Sequence, residues 1–187
     1  MTTGASGTTT LVLASGGLDS STLLALSKKS DPNVTALFID YGQAAAAAEL
    51  EAIYSVSTTL ALSAKIVRYQ GRTFGAGEIR GRNAFLLHVA LLELGLASGS
   101  VLIGIHAGTP YWDCSAEFVE VMQKTFDLHT KGRVRIGAPF IDWNKADIHA
   151  LAIDLGVPID RTYSCEAAST PCGNCNSCLD RLALNLG

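Results

Sequence analysis

The 187-residue chain carries 14 Lys plus Arg against 17 Asp plus Glu, a formal charge of −3, and is 48% hydrophobic but only 17% charged. Ordinary globular proteins are about 25% charged, so this chain has the apolar surplus for a sizeable single-domain core and lacks the charge of a disordered one. A negative balance with no basic stripe also argues against general nucleic-acid binding, which phosphate contacts dominate.

Met1 to Thr10 holds no positive residue and no apolar run, so no secretory or transit signal is read there. The most apolar stretch, Phe85 to Ile105, is interrupted by His88, Glu93 and Ser98-Gly99-Ser100, whereas a spanning helix needs roughly 18 or more apolar residues. A cytoplasmic protein with no membrane association is expected. Along the chain, strands are expected at Leu11–Ala14, Val34–Ile39, Lys65–Tyr69, Val101–Ile105 and Val134–Ile136. Helices are expected between them at Ser20–Lys29, Ala44–Leu62, Asn83–Ala97, Ser115–His129 and Asn144–Leu155.

Apolar strands alternating with helices predict an α/β fold, a doubly wound open parallel sheet covered on both faces. Ligands of such sheets lie beyond the carboxyl ends of the strands, which selects the segments beginning at Ser15, Asp40, Gly71, His106 and Pro139. Residues 1–157 are expected to form this nucleotide-binding domain. Residues 158–187, rich in Cys, Gly, Asn and Ser and ending in a short helix from Leu179, read as a metal-stapled tail packed on it.

Ser15-Gly16-Gly17-Leu18-Asp19-Ser20 falls between the first strand and the first helix. Glycines let the backbone approach a ligand, helix-start N–H groups attract anions, and Ser15, Ser20 and Ser21 add hydroxyl donors. This is neither the dinucleotide fingerprint nor the Gly-Lys P-loop. It resembles the PP-loop of ATP pyrophosphatases. The resemblance implies ATP, with the loop from Ser15 to Ser21 on the β,γ-pyrophosphate and Asp19 helping to hold Mg²⁺. It also implies adenosine at the end of the second strand, where Tyr41 can stack and Asp40 or Gln43 can hydrogen bond. An ordinary Asp-Tyr-Gly strand-exit turn is the alternative there.

Cys165, Cys172, Cys175 and Cys178 fall within 14 residues in the spacing C-x6-C-x2-C-x2-C, and Cys114 stands alone. In a reducing compartment such a cluster reads as a metal site, not as disulfides. Four thiolates close a tetrahedral Zn²⁺ site with no open position, hence a structural one. An iron–sulfur cluster is the competing reading.

Taken together, SGGLDS, Asp40-Tyr41-Gly42-Gln43, Gly81-Arg82-Asn83, Asp113-Cys114 with Glu117-Phe118, Lys145-Ala146-Asp147-Ile148 and the terminal CGNCNSC with Arg181 resemble the 7-cyano-7-deazaguanine synthase (QueC) family. The motifs run in the family order over nearly the whole chain. The resemblance implies an AMP-forming C–N ligase of queuosine biosynthesis. Such an enzyme adenylates the carboxylate of 7-carboxy-7-deazaguanine, lets ammonia attack to give the amide and then the nitrile, and releases AMP and pyrophosphate.

The residues suit that chemistry. Asp113 can accept from N1–H and N2–H₂ of a guanine edge, with Tyr111 and Trp112 as flat faces or as plain packing. Arg82 can fork onto phosphate or carboxylate, and Asn83 caps the next helix and either touches substrate or does no more than cap. Lys145 can neutralise phosphate, and His106 can touch substrate or help deprotonate ammonia. Catalysis is assigned to Ser15, Asp19, Ser20, Arg82 and Lys145. Cys114 takes a structural or substrate-contact role, because an adenylate needs no nucleophile.

The chain departs from the family pattern in three places. Five alanines come after Gln43 where basic residues or His are usual, the interval from Leu62 to Arg82 is short, and Ile79-Arg80 replaces Val-Pro. Alternative readings are a defence-system paralogue that joins a deazapurine to an amine of a protein partner, a tRNA-modifying PP-loop enzyme, and a non-catalytic nucleotide-binding module. A homodimer is a further expectation.

Overall fold

Five strands pair in parallel: β1 (Thr9–Leu13), β2 (Thr35–Asp40), β3 (Ser63–Arg68), β4 (Gly99–Ile103) and β5 (Val134–Gly137), in the order β3-β2-β1-β4-β5. They belong to a computed structural model that describes residues 8–106 and 108–186. The helices are α1 (Leu18–Ser30), α2 (Ala46–Thr59), α3 (Arg82–Leu94), α4 (Ala116–Thr130), α5 (Lys145–Asp154) and α6 (Asn176–Ala183).

Strand side chains alternate between two cores, because successive residues of a strand point to opposite faces. Leu11 and Leu13 of β1 join Leu37 and Ile39 of β2 against Leu87, Met122 and Phe126 of α3 and α4. Val12 and Ala14 join Ala36 and Phe38 against Leu23 and Leu24 of α1, Ile53 of α2 and Ile148 of α5. Both faces are therefore covered, as expected for a doubly wound sheet. Of the five strands only the edge strand β3 holds no buried residue. Among the described residues no helix is long and apolar enough to cross a membrane.

Several boundaries differ from the sequence expectation. Strands β1 and β4 start two residues earlier than their apolar runs, since the polar residues Thr9 and Thr10 still pair with Gly99 and Ser100. Helix α2 spans Ala46–Thr59 and not 44–62, because Ala44 and Ala45 form a turn and Ala61 adopts a φ of 48°. Helix α3 stops at Leu94, where Gly95 turns to positive φ, short of Ala97. The last helix begins at Asn176, not Leu179, with Cys175 as its N-cap.

Residues 158–186 lie against the α1 side of the sheet. Tyr163 N–H donates to Gly16 O at 2.9 Å, Arg181 Nη1 donates to Thr162 Oγ1 at 2.8 Å, and Leu184 and Leu186 pack with Leu18 and Ala25.

The β1–β4 pairing leaves no room for a side chain at Gly99, where an added Cβ would lie 1.9 Å from Thr9 O. Gly99→Ala should destabilise the protein by at least about 1–3 kcal/mol, the usual cost of overpacking. Urea unfolding should show this as a lower midpoint at unchanged slope.

Candidate active site

The strand order reverses between β1 and β4, and a crevice opens where the chain leaves two such strands in opposite directions. Here it is a cleft of about 680 Å³, within the range of roughly 300–1,000 Å³ for small-molecule sites. Its floor is the loop after β1. Gly16 has a φ of +78°, and a Cβ there would come within 2.7 Å of Ala52 Cβ, so the loop is pressed against α2. Gly17 caps α1 without a side-chain hydrogen bond, leaving the helix-start N–H groups open to an anion. Ser20 Oγ donates to Gly17 O at 3.2 Å and accepts from Ser15 N–H at 3.3 Å, which braces the turn.

Helix α5 delivers a cation to this floor. Asn144 and Asp147 form a reciprocal capping box, with N–H to side-chain oxygen distances of 3.0 and 3.4 Å. Lys145 thus begins the helix with its Nζ 2.6 Å from Asp19 Oδ2. The other carboxylate oxygen, Asp19 Oδ1, is buried with no hydrogen-bond partner among the described residues. An orphaned carboxylate oxygen beside a phosphate loop suits a hard divalent cation such as Mg²⁺.

His106 lies just beyond β4 and is buried. Its Nδ1 accepts from Gly108 N–H at 3.0 Å, which puts the ring proton on Nε2, 3.6 Å from Asp19 Oδ2. Burial lowers the imidazole pKa, against the pull of Asp19 and with the help of Lys145, so the neutral ring is favoured. This arrangement makes His106 a hydrogen-bond donor. It does not support the expected role in deprotonating ammonia, because the ring's lone pair is already engaged.

The cleft brings together Ser15, Gly17, Leu18, Asp19, Ser20, Tyr41, Gln43, Arg82, Asn83, His106, Tyr111 and Lys145 of the sequence-predicted set, and leaves out Gly16, Ser21, Asp40, Trp112 and Asp113. Ser21 is fully buried, its hydroxyl without a partner among the described residues, because it lies on the core side of α1. Asp40 accepts from Gly42 N–H at 3.1 Å within its own turn. Trp112 is 81% exposed.

Asn83 is not the helix cap expected, since α3 starts one residue before it behind Gly81. Its amide instead donates to Asp113 O at 2.9 Å, and Asp113 Oδ2 accepts Asn83 N–H at 3.3 Å. Asp113 is thereby occupied in holding the start of α3. Burial, with Asp113 adding, pushes the Cys114 thiol up to about 11, which keeps it protonated and disfavours a nucleophilic role.

Gln43 reaches the cleft with its amide already committed. Its Oε1 accepts Tyr41 N–H at 2.9 Å, and its Nε2 donates to Ile39 O at 3.3 Å and to Glu49 Oε2 at 2.7 Å. Glu49, Glu166 and Asp180 also line the cleft, and none of them was anticipated. Glu166 and Asp180 flank cysteines of the tail, so only the folding of that tail over the phosphate loop brings them in.

The four tail sulfurs lie within 4.8 Å of one another. Cys172 Sγ and Cys178 Sγ are 3.9 Å apart, against about 3.8 Å for the edge of a tetrahedron with ~2.3 Å metal–sulfur bonds. Burial alone would raise the Cys165 thiol, but N–H donors from Ala167, Cys172 and Ala168 outweigh it and bring it down to about 6. Burial pushes Cys178 up to about 12, with the neighbouring sulfurs adding. The group can hold a zinc ion, whose charge would favour the thiolate form of every ligand.

The family model described as "Queuosine biosynthesis protein QueC" matches residues 9–77 and 69–184 of the chain. A 7-cyano-7-deazaguanine synthase of Aquifex aeolicus is 35% identical, covering 91% of this chain and 93% of the relative. One from Kineococcus radiotolerans is 33% identical over 92% and 90%. Among solved structures, an NH3-dependent NAD synthetase from Campylobacter jejuni matches with a TM-score of 0.53 at 20% identity, over 83% of this chain and 67% of that one, which is a likeness of fold. The Aquifex alignment runs over 203 positions, more than the chain's 187 residues, so that relative holds residues missing here. The family match is in two segments that overlap at residues 69–77, within the connection between β3 and α3.

Purified protein should contain one zinc ion per four-cysteine group. Stripping it with a chelator, or Cys175→Ser, should lower the thermal midpoint, because structural metal binding is coupled to folding. Metal analysis and melting with and without added zinc check this.

Proposed function

Because the chain belongs to the QueC family of queuosine biosynthesis proteins, we propose that it is an ATP-dependent, AMP-forming ligase that converts 7-carboxy-7-deazaguanine and ammonia to the amide and then the nitrile. One cleft joins an uncapped α1 N-terminus, the Asp19–Lys145 pair and the Arg82 guanidinium, and this convergence supports the reading. It offers one end to polyphosphate and the other to a carboxylate.

ATP lies with its β- and γ-phosphates on the α1 N–H groups and the Ser15 hydroxyl. Lys145 supplies positive charge where the pyrophosphate departs, and the His106 Nε2–H adds a neutral donor. Asp19 is the residue that would hold Mg²⁺, through the oxygen that has no partner among the described residues; that ion would supply neutralisation of the leaving pyrophosphate. Preorganised charge of this kind lowers the barrier where negative charge develops.

Tyr41, exposed to the cleft at the end of β2, takes the adenosine side. Arg82 forks onto the substrate carboxylate and aims one oxygen at the α-phosphorus, with Tyr111 against the purine. Asp113 contributes by fixing the start of α3 beneath Arg82. Zinc in the cysteine group is structural. The sulfur spacing suits one ion, whereas a multi-iron cluster would spread the ligands further apart.

Asp19→Ala and Lys145→Ala should each cut AMP and pyrophosphate formation by at least about 10²–10³-fold, the usual cost of removing a charge-stabilising group. Zinc content and melting should be retained. The assay is AMP release from ATP with 7-carboxy-7-deazaguanine and ammonium, with mass detection of amide and nitrile. Full AMP production by both variants would exclude the assignment.

A further inference from the structure

A recess of about 40 Å³ opens beside the main cleft between Tyr41, Gln43, Glu49, Arg82 and Glu166. That leaves room for a molecule of water or ammonia size. Glu49, with Tyr41, Gln43, Arg82 and Glu166, belongs to the lining of both recess and cleft. Its Oε2 is pinned by Gln43 Nε2 at 2.7 Å, while its Oε1 takes no hydrogen bond among the described residues. The pin is rigid, because the Gln43 carbonyl is held by Tyr41 N–H and its amide nitrogen by Ile39 O.

An amine that attacks a carboxyl carbon must first surrender the proton on its lone pair. Of the two carboxylates that line both recess and cleft, Glu166 has Oε1 engaged by the Ser177 hydroxyl at 2.6 Å and Glu49 has Oε2 engaged by Gln43; elsewhere in the cleft the His106 lone pair is taken by Gly108 N–H and Asp19 Oδ2 by Lys145. We infer that Glu49 is the proton acceptor for the incoming nitrogen, with ammonium entering through the recess and Gln43 acting as its positioning residue. This rests on the adenylation reading proposed above.

In this step ammonium gives one proton to Glu49 and becomes ammonia. Its lone pair forms the C–N bond at the adenylated carboxyl carbon, and the bond from that carbon to the AMP oxygen breaks with its electron pair on AMP. The second nitrogen proton goes to the AMP phosphate, and Glu49 returns its proton to solvent. Burial raises the Glu49 carboxyl above its ordinary range, opposed by Gln43 and Arg82 and reinforced by Asp40 and Glu166. A raised carboxyl is a stronger base near neutral pH.

The test separates the half-reactions. Substrate-dependent exchange of labelled pyrophosphate into ATP, without ammonium, reports adenylation. Product formation with ammonium chloride reports nitrogen transfer. Glu49→Gln should keep exchange within about threefold yet lose about 10²–10⁴ in the ammonium-dependent rate at neutral pH, the usual scale of general-base catalysis. The rate should recover as pH rises and free ammonia accumulates. It should equal wild type with hydroxylamine, which is unprotonated at neutral pH, and Glu49→Asp should fall between. Gln43→Ala, which removes a donor to the carboxylate, should move the acid limb of nitrogen transfer to higher pH.

If Glu49→Gln matches wild type with ammonium, or loses exchange in proportion, the assignment of Glu49 is wrong. An acid limb unmoved in Gln43→Ala overturns the positioning role. Absence of exchange in the wild-type protein would instead remove the adenylation reading, and the inference with it.

Discussion

The parallel pairing of β1 with β4 is the constraint on which the site depends. Five consecutive residue pairs from Thr9↔Gly99 to Leu13↔Ile103 hold the two strands in register. The next segments, the phosphate loop and the turn containing His106, must therefore emerge side by side at the carboxyl edge. The helices beyond them are then fixed by the two cores, since α1 packs on one face while α3 and α4 pack on the other. A strand slipped by one residue would turn every side chain to the wrong face. The register is thus protected by the same apolar alternation that builds the core.

On that frame the tail acts as a third wall. Its backbone bonds to the phosphate loop through Tyr163 N–H and Gly16 O, and the cysteine group folds the chain back so that Glu166 and Ser177 meet at 2.6 Å. A metal held by that group would therefore bear on the shape of the cleft as well as on stability. The connection between β3 and α3 lies on a different wall. There the chain docks on the turn after β2, with Phe74 N–H bonded to Gly42 O at 2.8 Å and its ring 5.9 Å from that of Tyr41. This segment thus covers the side where Tyr41 sits.

The alanine run after Gln43 shows how composition misleads about chemistry. Ala44–Ala48 offers no polar group, and the segment reads from sequence as inert helix. Its value lies in the path it gives the backbone: the turn at Ala44 and Ala45 leads into α2 and brings Glu49 back within 2.7 Å of Gln43. Gln43 was itself expected to touch ligand, yet its amide is spent on the protein. Asp113 behaves in the same way, because Asn83 claims its carboxylate. In both cases a polar residue in a recognisable motif serves its neighbours.

Features encoded in contiguous residues were legible from the sequence alone. The five apolar strands, the Gly-rich turn opening onto a helix and the C-x6-C-x2-C-x2-C spacing each depend on local geometry and periodicity. The alternation of strand and helix leaves few topologies, so even the doubly wound sheet could be anticipated. What tertiary structure decided is which distant groups meet. Lys145 reaches Asp19 across 126 positions, Glu49 and Glu166 face one recess, and Trp112 turns to solvent. Strand ends escaped for a related reason: Thr9, Thr10, Gly99 and Ser100 pair through backbone groups that carry no apolar signal. Local pattern specifies elements and their faces, but the contents of a cleft depend on how several elements close upon one another.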